Sequence, residues 1–239
     1  MKRRILFILM ACMCAMAFAR VQVIPDENDS ISQWFQISYG RSTERGFERN
    51  QNFYDIAYNF QYNPFEAFFG IQMTDNVTDM TLDTDWWFLS FHEGHIRIGL
   101  DFGYHAQWYT NISCEHDILL SPQISFCTKS NFRAKILCGF CEKITDVYLL
   151  KKNIFDLNPV LVFSLGKLFS NGLEFSIDAG THTPYRHPVF GSAIFDFGVA
   201  YNFNRFRVGI DTEITMRDWI AASYYMDSVV VRFTGRVLF

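Results

Sequence analysis

The chain has 239 residues, 21 Lys and Arg against 25 Asp and Glu, a formal charge of −4, and 18% aromatic residues with 26 Phe. The balance is acidic and holds no basic stripe, which excludes a nucleic-acid partner. It also holds no apolar run of 18 residues, so no helix is expected to span a membrane, although strands, whose membrane signal has period 2, remain open.

The chain opens on a basic cluster, Lys2, Arg3 and Arg4, followed by an apolar stretch from Ile5 to Phe18 and the small-residue pattern Ala17-Phe18-Ala19. This pattern predicts a secretory signal peptide over 1–19 and a single domain over 20–239. The box Leu9-Met10-Ala11-Cys12 has too short an apolar run before it to mark Cys12 for lipidation. Without the leader, the formal charge becomes −7.

From Ile31 onward, apolar and polar residues alternate in segment after segment, the mark of strands with one greasy and one polar face. Twelve strands are expected. The first four are Gln33–Gly40, Phe53–Tyr62, Phe65–Thr74 and Trp86–Phe91. The next four are Ile96–Trp108, His116–Phe126, Phe132–Lys143 and Pro159–Phe169. The last four are Leu173–Thr181, Ile194–Phe203, Phe206–Thr215 and Ser228–Phe239. Pro122 interrupts the sixth and argues for an edge or a bulge there.

Between these segments, tight turns at Asn63-Pro64, 92–95, 128–131, 170–172 and Asn204-Arg205 alternate with longer polar stretches. A closed barrel crossing a bilayer separates short turns from long loops in this way, and puts both termini on the short-turn side. Aromatic residues flank the tight turns: Tyr62 with Phe65, Phe126 with Phe132, Phe203 with Phe206, and Phe169 near Leu173. They are expected to form one interfacial girdle, with Trp86, Trp87, Trp108 and Tyr109 in the opposite one.

Four cysteines follow the leader: Cys114, Cys127, Cys138 and Cys141. Cys138 and Cys141 lie three apart on one strand and so face opposite sides, which argues against a two-thiolate metal site. No metal and no cofactor is expected. A Cys127–Cys141 bridge inside the barrel stays open.

The signal peptide, the alternating strands and the final segment, in which Phe233, Gly235, Val237 and the terminal Phe239 share one face, resemble bacterial outer-membrane β-barrel proteins. The cysteine content is similar to that of spirochaete members. The resemblance implies an all-β, closed antiparallel transmembrane barrel in the bacterial outer membrane, with outer-membrane lipid and the barrel-assembly machinery as partners. It also implies that Phe233, Gly235, Val237 and Phe239 form the C-terminal β-signal read by that machinery. The eight-stranded OmpW type is a related architecture and would need 8–10 strands with longer outer loops.

If the apolar face meets lipid, the other face lines the interior. It carries Asp55, Glu66, Arg97, Asp101, His105, Arg133, Lys135 and Glu174, then Asp178, Asp196, Arg207, Asp211, Glu213, Arg232 and Arg236. Charges at membrane depth are tolerable where they face water or one another. Twelve strands with many small inward residues should leave a narrow polar passage, which points to passive diffusion of small hydrophilic solutes or ions.

The alternatives are a barrel plugged by paired charges, an adhesin displaying loops such as Arg41–Asn52 and Asp75–Asp85, and an outer-membrane lipid-modifying enzyme or protease. The enzyme would need a nucleophile and base near the outer rim. The candidates His182, Tyr185 and His187, and Ser113, Glu115 and His116, form no recognisable set, and no catalytic residue is assigned.

Overall fold

The computed structural model describes residues 32–44, 51–62, 64–74, 77–91, 95–109, 112–148, 152–181, 192–217 and 225–239. Twelve strands form one closed antiparallel ring in which each strand pairs with its neighbours in sequence and β1 pairs with β12. They are β1 (Ser32–Glu44), β2 (Gln51–Tyr62), β3 (Phe65–Met73), β4 (Val77–Phe91), β5 (Ile96–Tyr109) and β6 (Ser113–Cys127). They continue as β7 (Phe132–Val147), β8 (Lys152–Leu168), β9 (Leu173–Gly180), β10 (Ala193–Phe203), β11 (Phe206–Arg217) and β12 (Tyr225–Leu238). No described residue is helical. The expected twelve-stranded barrel is the fold observed, and the 8–10-strand alternative is set aside.

The ring is strongly sheared. Stepping between directly opposed residues from Leu168 leads through Glu174, Ala200, Gly209, Thr234, Ser38, Asp55, Gln72, Asp79, Gln107, Glu115 and Thr145 back to β8 at Ile154. Leu168 and Ile154 are 168 − 154 = 14 positions apart, so one circuit climbs 14 residues. With twelve strands this corresponds to a tilt of about 40° from the barrel axis, within the range that closed barrels adopt.

Closure is complete at the seam. The ladder from Trp34 opposite Leu238 to Glu44 opposite Ser228 joins the first strand to the last, and the Phe239 amide donates to the Gln33 carbonyl at 2.9 Å. The ring has no free edge, the condition for placing strands in hydrocarbon.

The outer surface is apolar. Ile37, Tyr54, Phe140, Phe163, Ile210 and Phe233 are exposed, as are many residues of the same parity on every strand. A soluble barrel would not present such a continuous apolar belt to water. Near the tight turns, aromatic rings pack against one another: Phe65 on Trp86 at 5.9 Å, Phe203 on Phe206 at 5.6 Å, and Phe169 on Phe175 at 5.9 Å.

Trp86 and Trp87 depart from expectation. Trp86 is opposite Phe65, and the Trp87 amide donates to the Pro64 carbonyl, so both sit at the short-turn end and not in the opposite girdle. The cause is the start of β4: it begins at Val77, and the stretch Val77–Asp85, read above as loop, is the outer part of that strand.

The same correction applies along one side of the barrel. β6 begins at Ser113, β7 runs to Val147 and β8 begins at Lys152, so the connections at 74–76, 110–112 and 148–151 are short. The strict alternation of short turns and long loops therefore fails on that side. Pro122 lies within β6, opposite Leu100. The ladder to β7 lapses at Ser121 and Pro122 and resumes in register at Gln123, as expected of a residue with no N–H to give.

The four cysteines among the described residues are free thiols. Cys127 is opposite Arg133 at the foot of β7, while Cys141 lies eight positions further along that strand, about 26 Å at 3.3 Å per residue. A Cys127–Cys141 bridge is thereby excluded. Cys138 faces outward and Cys141 inward, as their spacing requires.

Candidate functional site

The barrel interior is the site. Inward positions follow from the burial alternation: on β2, Phe53, Asp55 and Ala57 are buried between exposed Tyr54, Ile56 and Tyr58. All fifteen residues expected on this face, fourteen charged and His105, occupy inward positions of their strands. The structure adds Asp79, Asp83 and Asp85 on β4, Asp117 on β6 and Lys143 on β7. Those on β4 escaped notice because Val77–Asp85 reads as a polar loop. The signal was present in the alternation of Met80 and Leu82 with Asp79, Thr81 and Asp83.

Several hydrogen-bonded groups organise this face. On β4 to β7, Lys135 Nζ donates to both Asp85 oxygens at 2.9 and 3.0 Å, and Gln123 Nε2 donates to Asp85 Oδ1 at 2.7 Å. The Lys135 ammonium also lies 5.8 Å from the centre of the Trp87 ring. Higher on the same side, His105 sits between Asp79 at 3.8 Å and Asp117 at 4.0 Å, all three nearly fully buried. Near the long-loop end, Lys143 pairs with Glu115 at 2.7 Å.

Across the interior, Arg236 Nη2 donates to Gln36 Oε1, Gln36 Nε2 to Ser38 Oγ, and Ser38 Oγ to Asp55 Oδ2, each at 3.0–3.1 Å. The Arg236 guanidinium lies 3.7 Å above the Trp34 ring, and Arg232 lies 5.4 Å from the Phe53 ring. Both aromatics face inward. Phe53 fits because Gly40 opposite has no side chain: a Cβ there would come within 2.1 Å of the Phe53 ring. On β9 to β11, Glu174 Oε2 accepts from Arg207 Nε at 3.0 Å and from Asn202 Nδ2 at 2.9 Å.

Opposite charges are nevertheless not systematically matched. Asp85 is directly opposite Asp101, Asp178 opposite Asp196, Asp196 opposite Glu213, and Arg207 opposite Arg236. Like charges facing one another across a ladder destabilise a sheet. Asp83 Oδ1, Asp101 Oδ1 and Asp196 Oδ1 are buried without a protein hydrogen-bond partner.

A cavity of about 240 Å³ opens at the short-turn end between β1 and the β7–β12 side. Its lining includes Trp34, Arg133, Lys167, Glu174, Arg207 and Arg236.

The residues weighed for catalysis do not converge. Ser113 and Glu115 face inward, whereas His116 faces outward, where its ring stacks on Tyr104 and its Nε2 lies 3.2 Å from the Cys114 sulfur. His182, Tyr185 and His187 lie outside the described residues. Among the described residues, no group of three or more metal-binding side chains is assembled.

No protein-family model matches the chain, and no curated relative matches it. Solved structures do. An outer membrane channel from Pseudomonas putida F1 aligns over 91% of this chain and 100% of its own, at 10% identity and a TM-score of 0.62. The NanC porin aligns over 85% of this chain and 98% of its own, at 8% identity and a TM-score of 0.60. The translocator domain of the autotransporter NalP from Neisseria meningitidis covers 95% of both chains, at 9% identity and a TM-score of 0.51. The chain therefore has the fold of outer-membrane channel barrels. Likeness at such low identity carries the fold alone, and function must be argued from the interior.

Proposed function

We propose that the protein is an outer-membrane barrel, exported by a leader over 1–19, whose domain over 20–239 encloses a narrow water-filled path for small hydrophilic solutes or ions. The inward charged residues from Asp55 to Arg236 are its wall. Membrane lipid covers its belt, and Phe233, Gly235, Val237 and Phe239 are the segment offered to the assembly machinery.

The observation that carries this reading is the set of like-charge cross-strand pairs. A plugged interior at low dielectric is stable only when opposite charges are matched and every polar atom is bonded. Asp196 breaks that rule: it faces Asp178 on one side and Glu213 on the other with its Oδ1 buried and unbonded to protein, and water beside it would lower the repulsion. The channels and the porin that share the fold support the same reading.

The test is single-channel recording in planar bilayers, using detergent-folded protein whose migration on gels shifts on boiling. Discrete conductance steps are expected. Folded barrel without conductance would overturn the channel reading and leave the plugged or adhesive barrel.

A further inference from the structure

The interior charges are sorted by height. On β5 the inward residue beside the short turn is Arg97, and Asp101 stands four residues above it. β11 repeats this with Arg207 and Asp211. Counting from the same end, Arg133 is the first inward residue of β7, and on β12 Arg236 is the second, behind Leu238. The carboxylates at this level, Glu66 and Glu174, already accept bonds, from Gln61 and from Arg207 with Asn202. Arg133 makes no ion pair among the described residues and lines the short-turn cavity together with Lys167 and Arg205.

Above this layer the sign changes. Asp83, Asp85 and Asp101 occupy one side of the interior, and Asp178, Asp196 and Asp211 the other. Against them stand Lys135, bonded to Asp85, and Arg232. Asp211 Oδ1 lies over Gly198, where an added Cβ would come within 2.7 Å of it, so the carboxylate rests against the neighbouring strand.

We infer that the lumen is two oppositely charged zones in series, a basic vestibule at the short-turn mouth and an acidic belt above it, and that this makes it a rectifying ion path. The inference rests on the channel reading. The vestibule concentrates anions and the belt concentrates cations. A voltage that is positive on the long-loop side drives both toward the junction and fills it. The opposite voltage empties it, and the current falls. The vestibule is also a binding site for small multivalent anions, because Arg133, Arg207 and Arg236 converge on one cavity.

The experiment is single-channel current at both polarities in symmetric KCl, with pyrophosphate added to one chamber to assign orientation. Block from one side only identifies the short-turn mouth. At 0.1 M salt, where the screening length is about 10 Å, currents should differ by about twofold or more, with the larger flowing when the long-loop side is positive. At 1 M, with screening at about 3 Å, the ratio should approach one.

The double variant Arg97→Glu with Arg133→Glu should abolish the asymmetry and the pyrophosphate block. Arg97→Gln with Arg133→Gln serves if the first does not fold. Equal currents at 0.1 M from a conducting barrel would overturn the zoning and leave the channel. Asymmetry unchanged in both double variants would overturn the vestibule as its source. Folded barrel without any current would overturn both readings.

Discussion

The wall from β4 to β8 and the wall from β9 round to β3 are built on the same alternation but to different heights. β8 has 17 residues and β7 has 16, whereas β9 has 8 and β3 has 9. A tilted strand needs about 9–11 residues to cross the hydrocarbon. At β9 and β3 the second wall is therefore little more than a membrane crossing. The tall wall carries a crossing plus an extension at the long-loop end, and in that extension Phe155 and Leu157, on one face, are exposed together with Ile154 and Asp156 on the other. One part of the sheet answers to lipid and the other only to its own ladder.

The comparison breaks most plainly on deletion. Removing Ser176 and Ile177 from β9 should abolish folding, because the strand can no longer span the bilayer. Replacing 146–153 at the tip of the β7–β8 hairpin with Asn-Gly should change stability by less than about 1 kcal/mol, since that turn suits a two-residue hairpin. Heat-shifted gel migration reads both outcomes, and an unfolded hairpin variant would show that the extension is part of the folding core.

Charge on the outer face is the next probe. Ile210→Arg on the short wall should cost about 2–4 kcal/mol, the value for Arg near the bilayer midplane, while Phe155→Arg should cost about 0–1 kcal/mol. Urea titration in lipid vesicles measures both, and equal losses would mean that the extension is also lipid-covered. The smallest effect belongs to the Lys143–Glu115 pair near the top of the tall wall. A double-mutant cycle to Met and Gln should give under about 1 kcal/mol, falling as salt is raised.

The same two walls explain what could be read in advance. All twelve strands, their antiparallel order and the inward parity of the fifteen residues follow from period-2 alternation, which sheet geometry imposes wherever lipid and water compete for opposite faces. The boundaries of β4, β6, β7 and β8 did not follow, because above the membrane the outward face no longer has to be apolar. Thr78, opposite the last residue of β3, can then stand where lipid would demand Ile. The inward aromatics Trp34, Phe53 and Trp87 were hidden for a related reason: their rings depend on a gap in the neighbouring strand, such as the one left by Gly40, and no single segment displays that.

The seam between β1 and β12 also has a meaning in time. Every other ladder joins strands that follow one another along the chain, so each can zip as a hairpin with a connection of at most a dozen residues. The last ladder joins Trp34 to Leu238 and is the one long-range closure among the described strands. Loop-closure entropy grows only with the logarithm of the loop, so the step is affordable once the hairpins have drawn the two ends near each other. Until then the ribbon carries two open edges, each a template for pairing with another chain. The vulnerable interval in the life of this protein is thus the one between making its final strand and docking it.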